Sequence, residues 1–187
     1  MPPRVRITRD DILNAAMELT RIGGPQLLNA RTIASRLGCS TQPIFSNFAT
    51  MEELHGAVEE KAKVLYEEYT RREVASGKYP DYKASGMAYI RFAQEEKEFF
   101  KLLFMCDRCG EAIPEDDELS TRMEGYVHQY TGLAGVDMKL FHLEVWALVH
   151  GIATMFATGF VDLPWDLVSK MLTDVYQGLR KQYESEE

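Results

Sequence analysis

Apolar positions recur along the chain at the three-and-four spacing of amphipathic helices, and from Asp81 onward neither strand-like alternation nor a tight hairpin signal appears. The first helix is expected to start at Thr8, with Asp11 in a capping-box position, and to bury Ile12, Leu13, Ala16, Met17 and Leu19. Gly23-Gly24-Pro25 breaks it, and Leu27 and Leu28 pack back. A second helix is read over Ala30–Leu37, with Ile33, Ala34 and Leu37 on one face and Gly38 closing it at positive φ. Ser40 is expected to cap a third helix over residues 41–48, with Pro43 in its first turn, where a missing N–H costs little. Ile44 and Phe48 face the core there, leaving Thr41, Gln42, Phe45, Ser46 and Asn47 partly outside. Two short helices meeting at a glycine turn, with a small polar outer face, read as a helix-turn-helix.

Thr50 and Glu53 form a second capping box, so a long connecting helix starts at Met51 and runs to about Ser76, with Leu54, Val58, Ala62, Leu65 and Tyr69 as its stripe. Helices are then expected over residues 82–95 and 97–105, a loop over 106–114, and a helix over 115–130 with Leu119, Met123, Tyr126 and Val127 inward. After a break at 131–135, Asp137 is expected to cap a helix reaching about Gly159. Its apolar residues go almost all round, so it must be buried on more than one side. Pro164 suits N1 of a last helix with Val168, Met171, Leu172, Val175 and Leu179 as its stripe and Arg180-Lys181 near its end. The expected fold is all-α, with a head over residues 1–50 and a helical body over 51–187.

Net charge is -8, which argues against a nucleic-acid partner until it is split. Residues 1–50 carry six Arg against three acids, a net +3; residues 51–187 carry fifteen Lys/Arg against twenty-six acids, a net -11. A small basic head on an acidic body is the picture, and Arg4 and Arg6 sit in a short arm ahead of the first helix. No apolar stretch reads as long and uncharged enough to span a bilayer, and no signal-peptide core opens the chain, so no membrane partner and a cytoplasmic location are expected.

From Ile33 to Leu54 the chain reads I-A-x-x-L-G-C-S-x-x-x-I-F-x-x-F-x-x-x-E-E-L. In that order and spacing, behind an amphipathic first helix, it resembles the DNA-binding domain of the TetR family of bacterial transcriptional regulators over residues 8–58. The remaining helices are similar in layout to that family's ligand-binding and dimerisation domain, and Trp146 through Gly151 resemble its W-x-x-x-H-G subclass. The resemblance implies a homodimer, built through the last two helices, whose recognition helices enter successive major grooves of a near-palindromic operator. It implies a repressor that a small-molecule effector releases, in the bacterial cytoplasm and nucleoid-associated. Where the family usually has Tyr, an aromatic or His, and two Lys, this chain has Phe45, Asn47, Ala49 and Met51, which removes phosphate anchors.

Arg31, at the start of the first motif helix, reaches a guanine edge or a phosphate on this reading; the plain alternative is a solvated arginine. Thr41 and Gln42 open the recognition helix, where Gln42 suits adenine and Pro43 a thymine methyl. Ser40 is a cap and a candidate phosphate donor, Phe45 packs on sugar and backbone, Ser46 reads a base or is simply small enough for close approach, and Asn47 keeps a donor. In the body, Phe92, Phe104, Met105, Trp146 and His150 are the candidate walls for an apolar or aromatic effector, weighed against ordinary core packing. Trp146 and His150 share a helix face one turn apart. Cys106-x-x-Cys109 is half a zinc or redox motif, and a thiol- or metal-sensing regulator is the alternative it supports. His142 and His150, about 12 Å apart along a helix, do not chelate together. No nucleophile with a placed base, paired carboxylates or phosphate-cradling loop points to an enzyme, and no cofactor is implied.

Overall fold

The computed structural model describes residues 7–105 and 118–185, and every regular element among them is helical. The α-helices are α1 (Arg9–Gly23), α2 (Ala30–Leu37), α3 (Gln42–Asn47), α4 (Met51–Ala75), α5 (Asp81–Glu95), α6 (Lys97–Phe104), α7 (Glu118–Thr131), α8 (Gly135–Thr158) and α9 (Trp165–Ser185). A single 3-10 turn, Pro25–Leu27, follows α1. Packing divides the described chain into two compact units. The first takes residues up to 66 together with 96–105; the second takes 67–95 and 118–185. This division falls inside α4 and gives α6 to the first unit, whereas the sequence was divided functionally after residue 50.

In the first unit, α1 begins as its sequence demands. Thr8 accepts from the Asp11 N–H, and the Asp11 carboxylate receives the Thr8 N–H and hydroxyl, holding that carboxyl below its ordinary range. Ile12, Ala16, Ile33, Ile44, Phe48, Leu54 and Val58 are buried and form the core that α1 to α4 share. From α6, Phe99, Phe100 and Leu103 are buried as well. Arg21 forks onto Glu96 at 2.8 and 3.0 Å, with its guanidinium 5.3 Å from the Phe99 ring, and fastens the end of α1 to the start of α6.

In the second unit, α8 is the central rod, packed against α5, α7 and α9. Phe141, Val145, Val149, Ile152, Ala153 and Phe156 make its buried face. Val136, Leu140, Leu143 and Met155 stay exposed on the other side. On length and composition α8 is apolar enough to cross a membrane, contrary to the expectation, yet much of it packs in a core. Its helix starts from Ala134 rather than at an Asp137 cap; Asp137 lies in the first turn, where a carboxylate suits the helix dipole. Pro164 likewise precedes α9, its carbonyl accepting the Val168 N–H at 3.0 Å. On α4, Leu54, Val58, Ala62 and Tyr69 are buried as expected, but Tyr66 is buried where Leu65 was expected, and Leu65 is half-buried. The helix expected over 115–130 is described from Glu118 to Thr131, with Met123 and Val127 buried. Cys106, Cys109 and the loop expected over residues 106–114 lie outside the described residues.

Candidate functional site

The geometry of the head starts with Asn29. Its side chain accepts the N–H groups of Arg31 (3.1 Å) and Thr32 (3.0 Å), while the Thr32 hydroxyl receives the Asn29 N–H, so α2 opens on a reciprocal capping box. It closes on Gly38 at φ +65°, with the Cys39 N–H on Ala34 (3.0 Å) and the Gly38 N–H on Ser35. Those two bonds are the Schellman pattern, and the positive φ is why glycine stands there.

The helix that follows is shorter than expected and is not capped by Ser40. Its N-cap is Thr41, in the right-handed conformation and without a side-chain cap bond. The reason is local. A cap side chain serves the N–H groups at N2 and N3; here N2 is Pro43, which has none, and the Ile44 N–H is already taken by the Thr41 carbonyl at 3.1 Å. Six residues do not hold a helix by themselves. Ile44 and Phe48, both buried, anchor it, and burying each contributes roughly 2–3 kcal/mol.

The outer face of α3 presents Gln42, Phe45 (52% exposed) and Ser46, with Thr41, Pro43 and Asn47 half-buried. Two polar members are engaged within the helix: the Ser46 hydroxyl donates to the Gln42 carbonyl at 2.9 Å, and the Asn47 amide donates to the Pro43 carbonyl at 2.8 Å. The Ser46 hydroxyl donates to a phosphate only after a rotamer change, whereas the Asn47 amide keeps a second N–H, and both side-chain oxygens keep acceptor capacity. Ser40 and Arg31 are exposed. Among the four arginines of residues 7–50, Arg9 pairs with Glu53, Arg21 with Glu96 and Arg36 with Glu18. Arg31 has no ion pair among the described residues.

Sequence reasoning missed Arg9. Its guanidinium donates to the Asn47 carbonyl, pairs with Glu53 at 2.8 Å and stands 3.8 Å over the Phe48 ring. The Glu53 carboxylate in turn accepts the Ala49 N–H at 2.7 Å. That bond, with Arg9, holds Glu53 below its ordinary carboxyl range. The box expected at Thr50 thus has its hydroxyl half, from the Glu53 N–H to Thr50 Oγ1 at 3.2 Å, but its carboxylate reaches one residue further back.

In the second unit two tyrosines of α5 meet two histidines of α8. Tyr82 lies 3.0 Å from Nδ1 of His142, and Tyr89 2.9 Å from Nδ1 of His150. With the phenol as donor the ring proton sits on Nε2; with Nδ1 protonated the ring donates to the phenol oxygen. Burial pushes both histidines below their ordinary range and pushes the Tyr82 phenol up. Trp146 stacks on His150, 4.8 Å between centroids and 21° between planes. One turn beyond, the buried Thr154 hydroxyl has no hydrogen-bond partner among the described residues. Of the five expected ligand-wall residues, Phe92, Trp146 and His150 lie in this unit, Phe92 buried against Tyr69. Phe104, edge-on to Tyr66, and the exposed Met105 lie in the first. No group of three metal-ligating side chains occurs among the described residues.

Residues 82–175 match the family model of the tetracyclin repressor-like C-terminal domain. No curated protein sequence matches the chain. A TetR-like transcriptional regulator from Rhodococcus sp. RHA1 has the same fold, with a TM-score of 0.67 at 15% identity over 100% of both chains. A TetR family member from Streptomyces coelicolor A3 superposes with a TM-score of 0.62 at 14% identity, over 89% of this chain and 96% of that one. With half its length matched by that model, the chain belongs to the TetR family of DNA-binding transcriptional regulators.

Proposed function

We infer that this protein is a homodimeric, sequence-specific repressor whose residues 1–50 carry the DNA-reading face and whose body holds a small apolar or aromatic effector. The observation that carries the DNA reading is Arg31. It is exposed at the first turn of α2 and unpaired by any acid among the described residues, close in sequence to the exposed face of α3. An unpaired arginine is free to meet guanine or phosphate at no cost in a broken ion pair. Gln42, Thr41 and Pro43 read bases at the start of α3, Phe45 packs on the sugar-phosphate edge, and Ser40, Ser46 and Asn47 contribute polar contacts.

The exposed apolar side of α8, Val136, Leu140 and Leu143, with Leu167 of α9, supplies a dimer face. Trp146 and His150, stacked and partly exposed, are the effector wall best supported by their geometry, with Phe92 of the same unit as a further candidate. Effector binding lowers DNA affinity only by its preference for one of the two states. The test is selection of bound duplexes from a random pool by the full chain. An enriched inverted repeat is expected; no enrichment at low salt sinks the reading. Titrating the enriched complex with planar aromatic compounds then tests the effector class, release with Trp146 quenching being the expected result.

A further inference from the structure

We propose that Arg9 is the positioning residue of the recognition helix: a clamp, closed by Glu53, that fixes where the exposed face of α3 stands for DNA. The inference rests on the DNA-binding role inferred for that face. Its starting point is the weakness of α3 itself. The helix has six residues, no side-chain cap at its N-terminus and two buried anchors, Ile44 and Phe48. Two apolar anchors resist withdrawal from the core, but being non-directional they do little to fix rotation or a slide along the axis.

Arg9 supplies the directional restraint. On the first turn of α1, it donates to the carbonyl of Asn47, the last residue of α3, an end group that has no partner within the helix. Its guanidinium carbon stands 3.8 Å from the ring centroid of Phe48, the residue that ends α3. Its remaining arm is held by Glu53 on the first turn of α4 at 2.8 Å, and the second Glu53 oxygen takes the Ala49 N–H at 2.7 Å. One planar fork thus ties the start of α1, the end of α3 and the start of α4, across 38 and 44 residues of sequence. Lysine, a point charge without the fork, does not reproduce that set of contacts.

The competing role for Arg9 is a direct phosphate contact, and the two roles predict opposite effects at Glu53. If Arg9 serves phosphate, Glu53 is a competing anion and its neutralisation strengthens DNA binding. If Arg9 is a clamp, neutralising Glu53 loosens α3 and weakens specific binding. The experiment measures anisotropy of the duplex selected by the native full-length chain, and of a random-sequence duplex, over a range of salt concentrations. The variants are Glu53→Gln and Arg9→Lys, with helicity by circular dichroism as the folding control.

The expected result is a loss of about tenfold or more on the selected duplex for both variants, the scale of one charge-assisted hydrogen bond. Affinity for the random duplex and the salt slope stay at native values, because no phosphate contact is removed. Glu53→Gln binding the selected duplex as tightly as the native chain, or more tightly, overturns the clamp. So does Arg9→Lys at native affinity, and either variant decides the question if the other does not fold. A native chain that selects no duplex overturns the DNA-binding reading first, and the clamp with it.

Discussion

At the scale of single residues, local chemistry was readable and distant partners were not. The Thr8–Asp11 box, Gly38 at positive φ, and the burial of Ile44 and Phe48 all follow from a few neighbouring residues, and all are present. Ser40 is not the cap because the helix starts one residue later, behind Thr41, and the proline at N2 leaves Thr41 without a side-chain cap bond. Arg9 with Glu53 and Tyr82 with His142 are joined over 44 and 60 residues, and no spacing rule announces such pairs. Arg31 carries the clearest prediction at this scale. Replacing it with Ala should weaken binding of the selected duplex by about 1–3 kcal/mol and relax base preference at one position of each half-site if it reads guanine. A uniform loss across sequences, with a salt slope smaller by about one, is the expected signature of a phosphate contact instead. A titration at three salt concentrations with matched and mismatched duplexes separates them. Unchanged binding removes Arg31 from the interface.

At the scale of elements, helix limits were legible because capping residues, glycines and prolines mark them. What periodicity could not decide was how an all-round apolar helix distributes its sides. In α8 one side fills the core with Phe141, Val149 and Phe156, while Leu143, 56% exposed, remains outside. A Leu143→Glu substitution should therefore leave helicity intact, shift sedimentation toward the monomer and weaken operator binding at least tenfold, since half-sites are held together only by the dimer. A dimer of native stability in that variant assigns the face to something else.

The α5–α8 contact predicts a response to pH. His142 is half-buried, faces Tyr82 from α5 and Glu124 from α7, and binds its proton less tightly folded than unfolded. Between its folded value and the ordinary 6.5, the unfolded chain holds more protons, so stability falls as pH drops below about 6.5 and is fully present above it. The urea midpoint should fall from pH 7.5 to 5.5, and His142→Gln should flatten that part of the dependence. An equal slope in native and variant proteins overturns the assignment. The spacing of His142 and His150 was visible in the sequence; their hydrogen-bonded tyrosines were not, because they belong to another helix.

At the scale of the whole molecule, the order of helices and the all-α class were readable because one motif, residues 33–54, fixed the meaning of its neighbours. The packing units were less so. The chain leaves the first unit within α4, returns at Glu96 for α6 and leaves again, so that Phe99, Phe100 and Leu103 complete a core begun at Ile12. A fragment ending at residue 50 lacks these and also Leu54 and Val58. It should show little helix by circular dichroism at 25 °C, since so small a chain buries too little apolar surface to offset its ordering entropy. A cooperative thermal transition in that fragment is the contrary outcome. That threaded path also bears on how such regulators can be re-engineered. Joining the front of one relative to the back of another at a single peptide bond ahead of α6 leaves the first unit with a foreign α6. New operator preferences are better transplanted as side chains on the outer faces of α2 and α3, with the surrounding scaffold kept from a single parent.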